Sequence, residues 1–536
     1  MNSVVMGGFY SSLNPNRLFA ASKSPKPIRK GKSMFDADPT AATCRKSVLP
    51  RLLAQALLFL SAIPGVASAG NATLPDTPAG RLGSQLIRHV NSDNAVGIRK
   101  WAPTILSAEI PSADREAFIS LLASSARDSG GLDVVDARSD PRQPGMLQVA
   151  VKARRNARQG LLVLTADAAH PDRLAQADLV AMDDPGLYAH WPREAPTREA
   201  LAQLIRNTLD QLVRTNDFSG CVTVSDGART IFDECRGLAE RRFNVPVDRQ
   251  TKFHIGSMDK MFTAVAIAQL VETGKLSWDD TLALRLPEYP DQAAKNITVW
   301  QLLHHTSGLG DFLVPELFEH REKFVDPVDY LDLIARQPKV SAPGGQWSYS
   351  NAGYMLLGRI IENVSGQAYS DYVQRHVFAP AGMEASGFDS LDDVVPKLAV
   401  GYYHEGPFSD AWKADWFRTL YRGGPAGGGY STNADLLRFS AALRAGKLVK
   451  PATLAKMFDD EVPAGPGGYA AGFGDRASRG LHIRGHAGGI EGTDTNLAIV
   501  WETGATVALT SNEGPGQSWF FAERIADLLA AQGAKH

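Results

Sequence analysis

Residues 253–276 read FHIGSMDKMFTAVAIAQLVETGKL and contain the tetrad Ser257-Met258-Asp259-Lys260 at the start of a predicted helix. Apolar residues recur at helical spacing after the lysine, and positions three apart lie on one helix face. The spacing therefore predicts that the Lys260 amine stands beside the Ser257 hydroxyl. A serine becomes a strong nucleophile when a base takes its proton, and a lysine is that base when desolvation lowers its pKa.

On its own the tetrad is weak evidence, because Ser-x-x-Lys also describes a helix cap followed by a surface lysine. A second stretch, PGGQWSYSNAGYMLLGRII (343–361), places Tyr349 and Asn351 on a loop between a turn and an apolar helical run. Tyrosine can relay a proton, and asparagine can hydrogen-bond a lysine or a substrate carbonyl. The alternative is an ordinary helix cap beside a packed tyrosine.

A third stretch, IRGHAGGIEGTDTNLAIVWETGATVALTSN (483–512), predicts two strands around the turn 502–504, preceded by a strand with His486, Gly488 and Gly489. A strand beside a nucleophilic serine can donate a backbone N–H to an oxyanion. Glycines there let a substrate approach the backbone closely. A Gly-rich loop with a structural histidine is the alternative.

In this order and spacing, the three motifs resemble the serine β-lactamase and penicillin-binding-protein superfamily, which uses Ser-x-x-Lys, Tyr-x-Asn and Lys-Thr-Gly. Flanking strings are most similar to its class C-like branch, the family VIII esterases and the D-alanyl-D-alanine carboxypeptidases and aminopeptidases. These strings are FSGCVTVSDG (218–227), VWQLLHHTSGLGDF (299–312), LLGRIIENVSG (356–366) and GGGYSTNADLLRF (427–439). The resemblance covers residues 197–536 and implies an α+β fold, with an antiparallel sheet flanked by helices beside a helical subdomain.

The resemblance also implies a role for each matching residue. Ser257 is the acylated nucleophile, Lys260 its base, and Tyr349 the acid or base that serves the leaving group. Asn351 orients Lys260 or a substrate amide. The oxyanion hole uses the backbone N–H groups of Ser257 and Gly489, with Gly488 beside them.

His486 and Ala487 depart from the family pattern, since they stand where Lys-Thr-Gly has lysine and threonine. Lysine is a permanent cation for a substrate carboxylate, whereas histidine is largely neutral near pH 7. The departure disfavours β-lactam hydrolysis and fits esterases and some peptidases of the branch, which carry His-x-Gly. If His486 binds a carboxylate as a cation, activity falls as pH rises through its pKa.

The sequence contains none of the motifs searched for that are typical of α/β-hydrolases, zinc enzymes or nucleotide-binding proteins. There is no G-x-S-x-G for an α/β-hydrolase, no H-E-x-x-H or paired Cys-x-x-Cys for zinc, and no G-x-x-x-x-G-K-[ST] for nucleotide phosphate. We therefore expect no cofactor and no metal. His304 and His305 are adjacent, so their side chains diverge, and we assign them to a loop rather than to a ligand set.

The front of the chain predicts export. Residues 52–63, LLAQALLFLSAI, form an apolar run of signal-peptide length that is too short to span a bilayer, and Ala67-Ser68-Ala69 fits a cleavage site. The leader is thus 1–69, with Met34 as an alternative start. We expect a periplasmic or secreted protein, cleaved near Ala69, with no stable membrane anchor.

Charge argues against nucleic-acid partners. The whole chain has a net charge of −2, and removal of the leader, with its nine Lys/Arg and two Asp, leaves −9. Phosphate contacts need clustered Lys and Arg, and the one basic string considered, VKARRNARQG (151–160), is interpreted as a solvated turn between strands. The expected partner is a small ester or D-peptide substrate, and the oligomeric state stays open.

Residues 70–195 predict a separate domain of unknown role. Amphipathic helical stretches precede the strand-like runs LDVVDAR, MLQVAVKA, GLLVLTAD and DLVAMDD. This order predicts a small α+β domain and loosely resembles the cone-like NTF2-type domains. A lid, a wall of the substrate cleft and a dimer surface are all open, while residues 197–536 form the hydrolase domain.

Two further questions concern cysteines and aromatic residues. Cys221 and Cys235 flank a predicted hairpin, but counting from its Asp226-Gly227 turn does not place them opposite each other, so the sequence favours two packed thiols over a disulfide. Five aromatic residues either line an apolar pocket or hold long segments against the body. They are Phe312, Trp412, Trp416, Phe417 and Tyr421.

Together these observations predict an exported serine hydrolase that works through an acyl-enzyme, with carboxylic esters as the leading substrate class. The first alternative is a D-amino-acid-specific peptidase or carboxypeptidase acting on peptidoglycan-like peptides. β-Lactamase activity is expected to be weak or absent. A non-catalytic binding or scaffold protein is the alternative from another class, and the intact set of Ser257, Lys260, Tyr349 and Asn351 argues against it.

Overall fold

The computed structural model describes residues 73–534, except 93, 111, 140–144, 182–186, 189, 228, 460, 465–466 and 515. The predicted leader, its cleavage site and Met34 lie outside the described residues. Among the described residues, no helix combines the length and the apolar character needed to cross a bilayer.

The first part of the described chain is three helices packed on a four-stranded sheet, in the helices-then-strands order that the sequence predicts. The elements are α1 Pro78–Ser92, α2 Ala95–Trp101, α3 Ser112–Asp128, β1 Leu132–Ser139, β2 Met146–Ala153, β3 Gln159–Ala166 and β4 Leu174–Ala181. The strands pair antiparallel in sequence order. Leu82, Leu86 and Val90 form the buried stripe of α1, one turn apart, which faces this sheet. The likeness to NTF2-type domains and the boundary at 195–197 stay predictions.

The remaining chain is built on an eight-stranded antiparallel sheet. Its strands follow one another across the sheet in the order Val462–Ala464, Gly467–Tyr469, Gly474–Ser478, Leu481–Ile490, Thr493–Val500, Thr506–Ser511, Gly220–Ser225 and Thr230–Arg236. Its helices are α4 Arg198–Arg214, α5 Asp259–Glu272, α6 Leu282–Arg285, α7 Val299–Leu303, α8 Pro315–Glu319, α9 Leu331–Ala335, α10 Asn351–Ser365, α11 Tyr369–Val373, α12 Ala379–Ala381, α13 Asn433–Arg444, α14 Pro451–Asp459 and α15 Ser518–Gly533. Its strands are β5 Gly220–Ser225, β6 Thr230–Arg236, β7 Leu238–Glu240, β8 Val245–Pro246, β9 Phe253–His254, β10 Tyr402–His404, β11 Trp412–Ala414, β12 Tyr430–Ser431, β13 Val462–Ala464, β14 Gly467–Tyr469, β15 Gly474–Ser478, β16 Leu481–Ile490, β17 Thr493–Val500 and β18 Thr506–Ser511.

The middle of this sheet is buried on both faces, which explains the unbroken apolar runs 497–500 in β17 and 507–509 in β18. Successive side chains of a strand point to opposite faces. On β17, Leu497 and Ile499 face the core that contains α5, whereas Ala498 and Val500 face the core that contains α4 and α15. The predicted hairpin of β17 and β18 is confirmed.

Helix α5, which follows Ser257, is enclosed by protein on nearly every side. All residues from Asp259 to Ala268 are buried, and Phe262 packs edge-on against the rings of Phe378 and Phe439. A helix that is apolar all round is stable only inside a core. This burial is what desolvates the lysine in its first turn.

The prediction of two packed thiols is wrong, because Cys221 and Cys235 form a disulfide. They are directly opposite each other on β5 and β6. The register shifts by a bulge between Val224 and Ser225, so counting from a simple two-residue turn gives the wrong partner.

The two parts of the described chain meet at the segment 401–418. The Phe408 side chain, 1% exposed, belongs to the core of the first part. Asn156 donates from Nδ2 to the carbonyl of Phe408 at 3.0 Å. Arg158 lies 3.0 Å from Nε2 of His404. These contacts hold the segment against the helix-and-sheet layer that precedes the larger sheet.

Candidate active site

Ser257 lies in a short 3₁₀ turn, Gly256–Met258, that runs directly into α5. Gly256 has φ +51°, a left-handed conformation that favours glycine. A Cβ at Gly256 would also lie 3.1 Å from the backbone nitrogen of Gly489. Ser257 is half-buried between two fully buried neighbours. The turn therefore presents the hydroxyl at the N-terminus of a helix, where backbone N–H groups and the dipole favour negative charge.

The Lys260 side chain reaches the Ser257 hydroxyl, as the i, i+3 spacing predicts. Its Nζ lies 3.1 Å from Ser257 Oγ and 2.8 Å from Asn351 Oδ1, and it also hydrogen-bonds the carbonyl of Ala426. The lysine side chain is completely buried. Its nitrogen lies 4.8 Å from the ring centre of Tyr349 and 5.5 Å from that of Tyr354.

These partners determine what a neutral Lys260 can do. Burial lowers its pKa to about 7, against the opposing effects of the Asp311 and Asp259 carboxylates. A neutral amine has two N–H bonds and one lone pair. The oxygens of Asn351 and Ala426 can only accept, so both N–H bonds are committed to them. The lone pair then faces Ser257, whose O–H can donate to it.

Tyr349 and Asn351 are positioned by the start of α10. The Ser350 side chain caps this helix by accepting from the N–H of Gly353 at 3.2 Å. Tyr349 is therefore the last residue before the cap, and Asn351 is the first helical residue. Burial raises the pKa of the Tyr349 hydroxyl, and a hydrogen bond with Ser257 acts in the opposite direction. Tyr349 is thus a protonated phenol at neutral pH.

Strand β16 brings Gly488 and Gly489 against the 3₁₀ turn Gly256–Met258, which contains Ser257. Pairing with β15 ends at Gly485, so the following residues of β16 pair only with β17 and leave their other edge to the turn. A Cβ at Gly488 would lie 1.9 Å from the carbonyl oxygen of Ile255. Only glycine allows this approach, and it brings the N–H of Gly489 beside Ser257.

His486 lies on the same strand, but both of its ring nitrogens are engaged within the protein. Nδ1 donates to the carbonyl of Ala487 at 2.5 Å, and Nε2 therefore accepts from the hydroxyl of Tyr469 at 3.0 Å. Burial, together with the nearby Lys260, lowers the His486 pKa to about 3. The ring is neutral and does not supply the cation that the family lysine provides.

The sequence did not reveal two side chains of this site, His305 and Asp311. His305, assigned to a plain loop, is buried with φ +57° and accepts the N–H of Ser350 at Nδ1, 3.1 Å away. Its ring lies 4.4 Å from that of Tyr349 and 4.5 Å from that of Tyr469. Asp311 accepts from Nδ2 of Asn351 at 2.9 Å. The signal available was the string HHTSGLGD (304–311), whose polar residues lie within an otherwise apolar region.

The five aromatic residues of the two long segments do not surround Ser257. Phe312 is buried in the helical core, and Tyr421 hydrogen-bonds Asp392 through its hydroxyl at 2.9 Å. Trp416 and Phe417 are exposed, at 44% and 76%. Trp412 lies on β11. It lines a cavity of about 1010 Å³ at the junction of the two parts, whose lining does not include Ser257.

Among the described residues, no group of three or more His, Cys, Asp or Glu side chains is arranged to hold a metal ion. The groups that the structure brings together at Ser257 are its own hydroxyl, the buried amine of Lys260, the phenol of Tyr349 and the backbone of Gly488 and Gly489.

Comparison with known proteins places the chain beside one named family. The sequence profile of the family named Beta-lactamase matches residues 205–532. Putative penicillin-binding protein PbpX of Bacillus subtilis (strain 168) is 32% identical over 271 residues, which are 51% of this chain and 64% of PbpX. The chain therefore spans just under two thirds of the length of this relative.

Two further relatives have enzyme names. Esterase EstB of Burkholderia gladioli is 28% identical over 291 residues, covering 48% of this chain and 73% of EstB. The solved structure of D-amino acid amidase from Ochrobactrum anthropi SV3, complexed with D-phenylalanine, superposes with a TM-score of 0.53 at 26% identity. That superposition covers 63% of this chain and 100% of the amidase.

Proposed function

The chain belongs to the Beta-lactamase family of serine hydrolases, and we propose that it cleaves carboxylic esters through an acyl-enzyme on Ser257. The observation that carries the proposal is the buried Lys260 amine, 3.1 Å from Ser257 Oγ, with its other hydrogen-bonding positions committed to acceptors. A desolvated lysine in this arrangement is a general base. Penicillin-binding proteins, an esterase and an amidase are among the relatives.

In the acylation step, the Ser257 proton moves to the lone pair of Lys260 while Oγ attacks the ester carbonyl carbon. The C–O π bond opens and its electron pair becomes an oxyanion. The N–H groups of Ser257 and Gly489 would donate to this oxyanion, because the close contact of Gly256 with Gly489 brings the two groups together. Collapse of the intermediate re-forms the carbonyl and expels the alcohol oxygen.

The expelled alkoxide needs a proton, and Tyr349 is the group that can give it. Its pKa is raised by burial, and it hydrogen-bonds Ser257 in the resting site. Tyr349 would donate to the leaving oxygen and regain a proton from the Lys260 ammonium. Water then attacks the acyl-enzyme with the same groups acting in reverse, which releases the carboxylic acid and restores Ser257.

The charge of the site supports neutral acyl groups over acyl groups with a carboxylate. His486 is neutral and fully engaged, and the charged group that acts most on Lys260 is the carboxylate of Asp311. A substrate carboxylate would thus meet no fixed cation besides Lys260 itself among the described residues of this site. This supports simple esters, and it disfavours β-lactams with their carboxylate.

A D-amino-acid amide or peptide is the second candidate. It is favoured by the superposition on D-amino acid amidase, which spans the whole of that enzyme. The same acyl-enzyme chemistry serves an amide, since Tyr349 can protonate a leaving nitrogen as well as a leaving oxygen. The two candidates therefore differ in the leaving group rather than in the nucleophile.

The test is hydrolysis of p-nitrophenyl butyrate and of D-phenylalanine amide by the wild-type protein and by Ser257→Ala. Ester turnover that vanishes in the variant supports the proposal. Amide turnover without ester turnover favours the second candidate. Turnover that survives in Ser257→Ala contradicts the assignment of the nucleophile, and absence of turnover on both substrates favours a non-catalytic role.

We also propose that the protein is exported and cleaved near Ala69, on the apolar run 52–63 and the Ala67-Ser68-Ala69 motif. N-terminal sequencing of the protein recovered from the periplasm or medium tests this. A first residue near Gly70 supports export, and recovery of the uncleaved chain from the cytoplasm contradicts it.

A further inference from the structure

Asp311 is held rigidly at the edge of the proposed active site. Its Oδ2 accepts from Nδ2 of Asn351 at 2.9 Å and lies 3.4 Å from the backbone nitrogen of the same residue. Its Oδ1 accepts from the N–H of Leu313 at 3.2 Å. Both oxygens of the carboxylate are therefore tied to fixed donors, and Asn351 is the only side chain among these donors.

This contact decides which end of the Asn351 amide faces Lys260. A carboxylate accepts and does not donate, so it holds the NH₂ end of the amide. The oxygen end is then presented to Lys260, which donates to it at 2.8 Å. If the amide were reversed, its NH₂ would face the amine, and the lone pair of Lys260 would turn toward Asn351 instead of Ser257.

The same carboxylate also acts on Lys260 through space. It lies one amide group away from the lysine nitrogen, a separation of roughly 6 Å, at which an opposite charge favours the protonated amine. Its effect opposes the burial that lowers the lysine pKa.

We propose that Asp311 is a positioning residue for the Ser257 reaction, which orients the Asn351 amide and sets the pH range in which Lys260 acts as the base. This inference rests on the proposed acyl-enzyme function. Asp311 does not touch the reacting atoms and acts through Asn351 and through its charge.

Other titratable groups also face Lys260, and they constrain the test. Asp259 is the other carboxyl, and its own pKa is raised to about 8 by burial, so it carries little charge in the acidic range. The remaining groups are the rings of Tyr349, Tyr354, His305 and His486. Burial raises the pKa of both tyrosines and lowers that of both histidines, so all four rings are neutral between pH 5.5 and 8. Asp311 is therefore the carboxylate whose removal should shift the acidic side of the pH–rate profile.

The experiment compares wild type, Asp311→Asn and Asp311→Ala by kcat/KM for p-nitrophenyl butyrate across pH 5.5 to 9. The isosteric asparagine has no charge, and its one oxygen can accept from Asn351 only if its NH₂ group replaces the oxygen that faces the Leu313 N–H. The acidic side of its pH–rate profile should move down by about one pH unit. At pH 6 its rate, as a fraction of its own plateau, should then be about fivefold higher than that of wild type. The alanine variant loses the acceptor, and its kcat plateau should fall by roughly 10- to 100-fold with KM little changed.

The matched control is Glu316→Gln, which removes a carboxylate from the same segment that is paired with Arg336 and has no contact with Asn351. Its pH profile should match that of wild type. An unchanged acidic limb in Asp311→Asn overturns the electrostatic part of the proposal, and an unchanged plateau in a folded Asp311→Ala overturns the positioning part. If the alanine variant does not fold, the isosteric asparagine variant still tests the electrostatic part of the proposal through its pH–rate profile. A wild type without Ser257-dependent turnover would instead refute the proposed function, and this inference with it.

Discussion

Replacement of Lys260 by methionine tests the claim that burying the lysine amine lowers its pKa and makes the stability of the protein depend on pH. The lysine is completely buried, and its pKa falls from 10.5 to about 7 mainly because burial disfavours the charged form. Methionine has a similar length and no charge to desolvate. It leaves the oxygens of Asn351 and Ala426 without their donor, which costs on the order of 1 to 3 kcal/mol for each buried acceptor.

The sign of the pH dependence follows from linkage. The folded-state pKa of Lys260 is about 7 and its ordinary value is 10.5, so between these values the unfolded chain binds one proton more than the folded chain. The free energy of unfolding of the wild type therefore rises with pH in this range, by on the order of 1 kcal/mol per pH unit. Lys260→Met lacks this slope. Its stability relative to wild type should fall by roughly 2 to 3 kcal/mol from pH 7 to pH 9.

Urea denaturation of both proteins at several pH values measures this difference. The control is Lys252→Met, since Lys252 is only half-buried and lies over the ring of Tyr430. The stability change of Lys260→Met is compared with that of this control at each pH. Turnover should fall by about 10²- to 10⁴-fold in Lys260→Met, the usual contribution of a general base. A stability difference for Lys260→Met that is flat from pH 7 to pH 9 would refute the claim that Lys260 is a desolvated amine with a lowered pKa.

Three further changes have definite expected outcomes. Tyr349→Phe should slow hydrolysis of an alkyl ester by about 10²-fold or more but affect a p-nitrophenyl ester much less, because p-nitrophenolate leaves without an acid; equal losses on both esters would contradict this role. Gly488→Ala would bring a Cβ within 1.9 Å of the Ile255 carbonyl, so the strand must move, and we expect a stability loss of roughly 1 to 3 kcal/mol in thermal denaturation, with most turnover lost. The double variant Cys221→Ser/Cys235→Ser opens a loop with a sequence separation of 14 and should lower the free energy of unfolding by about 3 kcal/mol. Urea titration measures that loss, and stability equal to the oxidised wild type would contradict it.

The sequence predicts much of this site because its motifs are local. The i, i+3 spacing of Ser257 and Lys260 on a helix, and the cap that separates Tyr349 from Asn351, follow from a few consecutive residues. These two features are independent of how the rest of the chain folds. The glycines of β16 differ, because they act through a long-range contact with the turn that contains Ser257.

The contacts that tune the site are long-range, and for this reason the sequence does not reveal them. The Ala426 carbonyl that binds Lys260 is 166 residues away along the chain, and Asp311 is 40 residues from Asn351. His486 was expected to be a substrate ligand, yet Tyr469 from a neighbouring part of the sheet occupies its Nε2. A sequence pattern does not show which distant residue will hydrogen-bond a given polar atom.

The disulfide illustrates a different limit. Register in a hairpin is set by the turn and by any bulge, and a shift of one residue changes every cross-strand pair. The bulge at Val224 and Ser225 converts two cysteines that are offset by simple counting into direct partners.

The most direct test of the central claim is the rate at which Ser257 becomes acylated as a function of pH. Rapid quenching after mixing with p-nitrophenyl butyrate, followed by peptide mass spectrometry, measures the acyl adduct and its position. The account predicts an adduct on the Ser257 peptide whose formation rate rises with pH around a midpoint of about 7, as Lys260 loses its proton. An adduct on another residue, or a rate on Ser257 that does not change between pH 5.5 and 8.5, would contradict it.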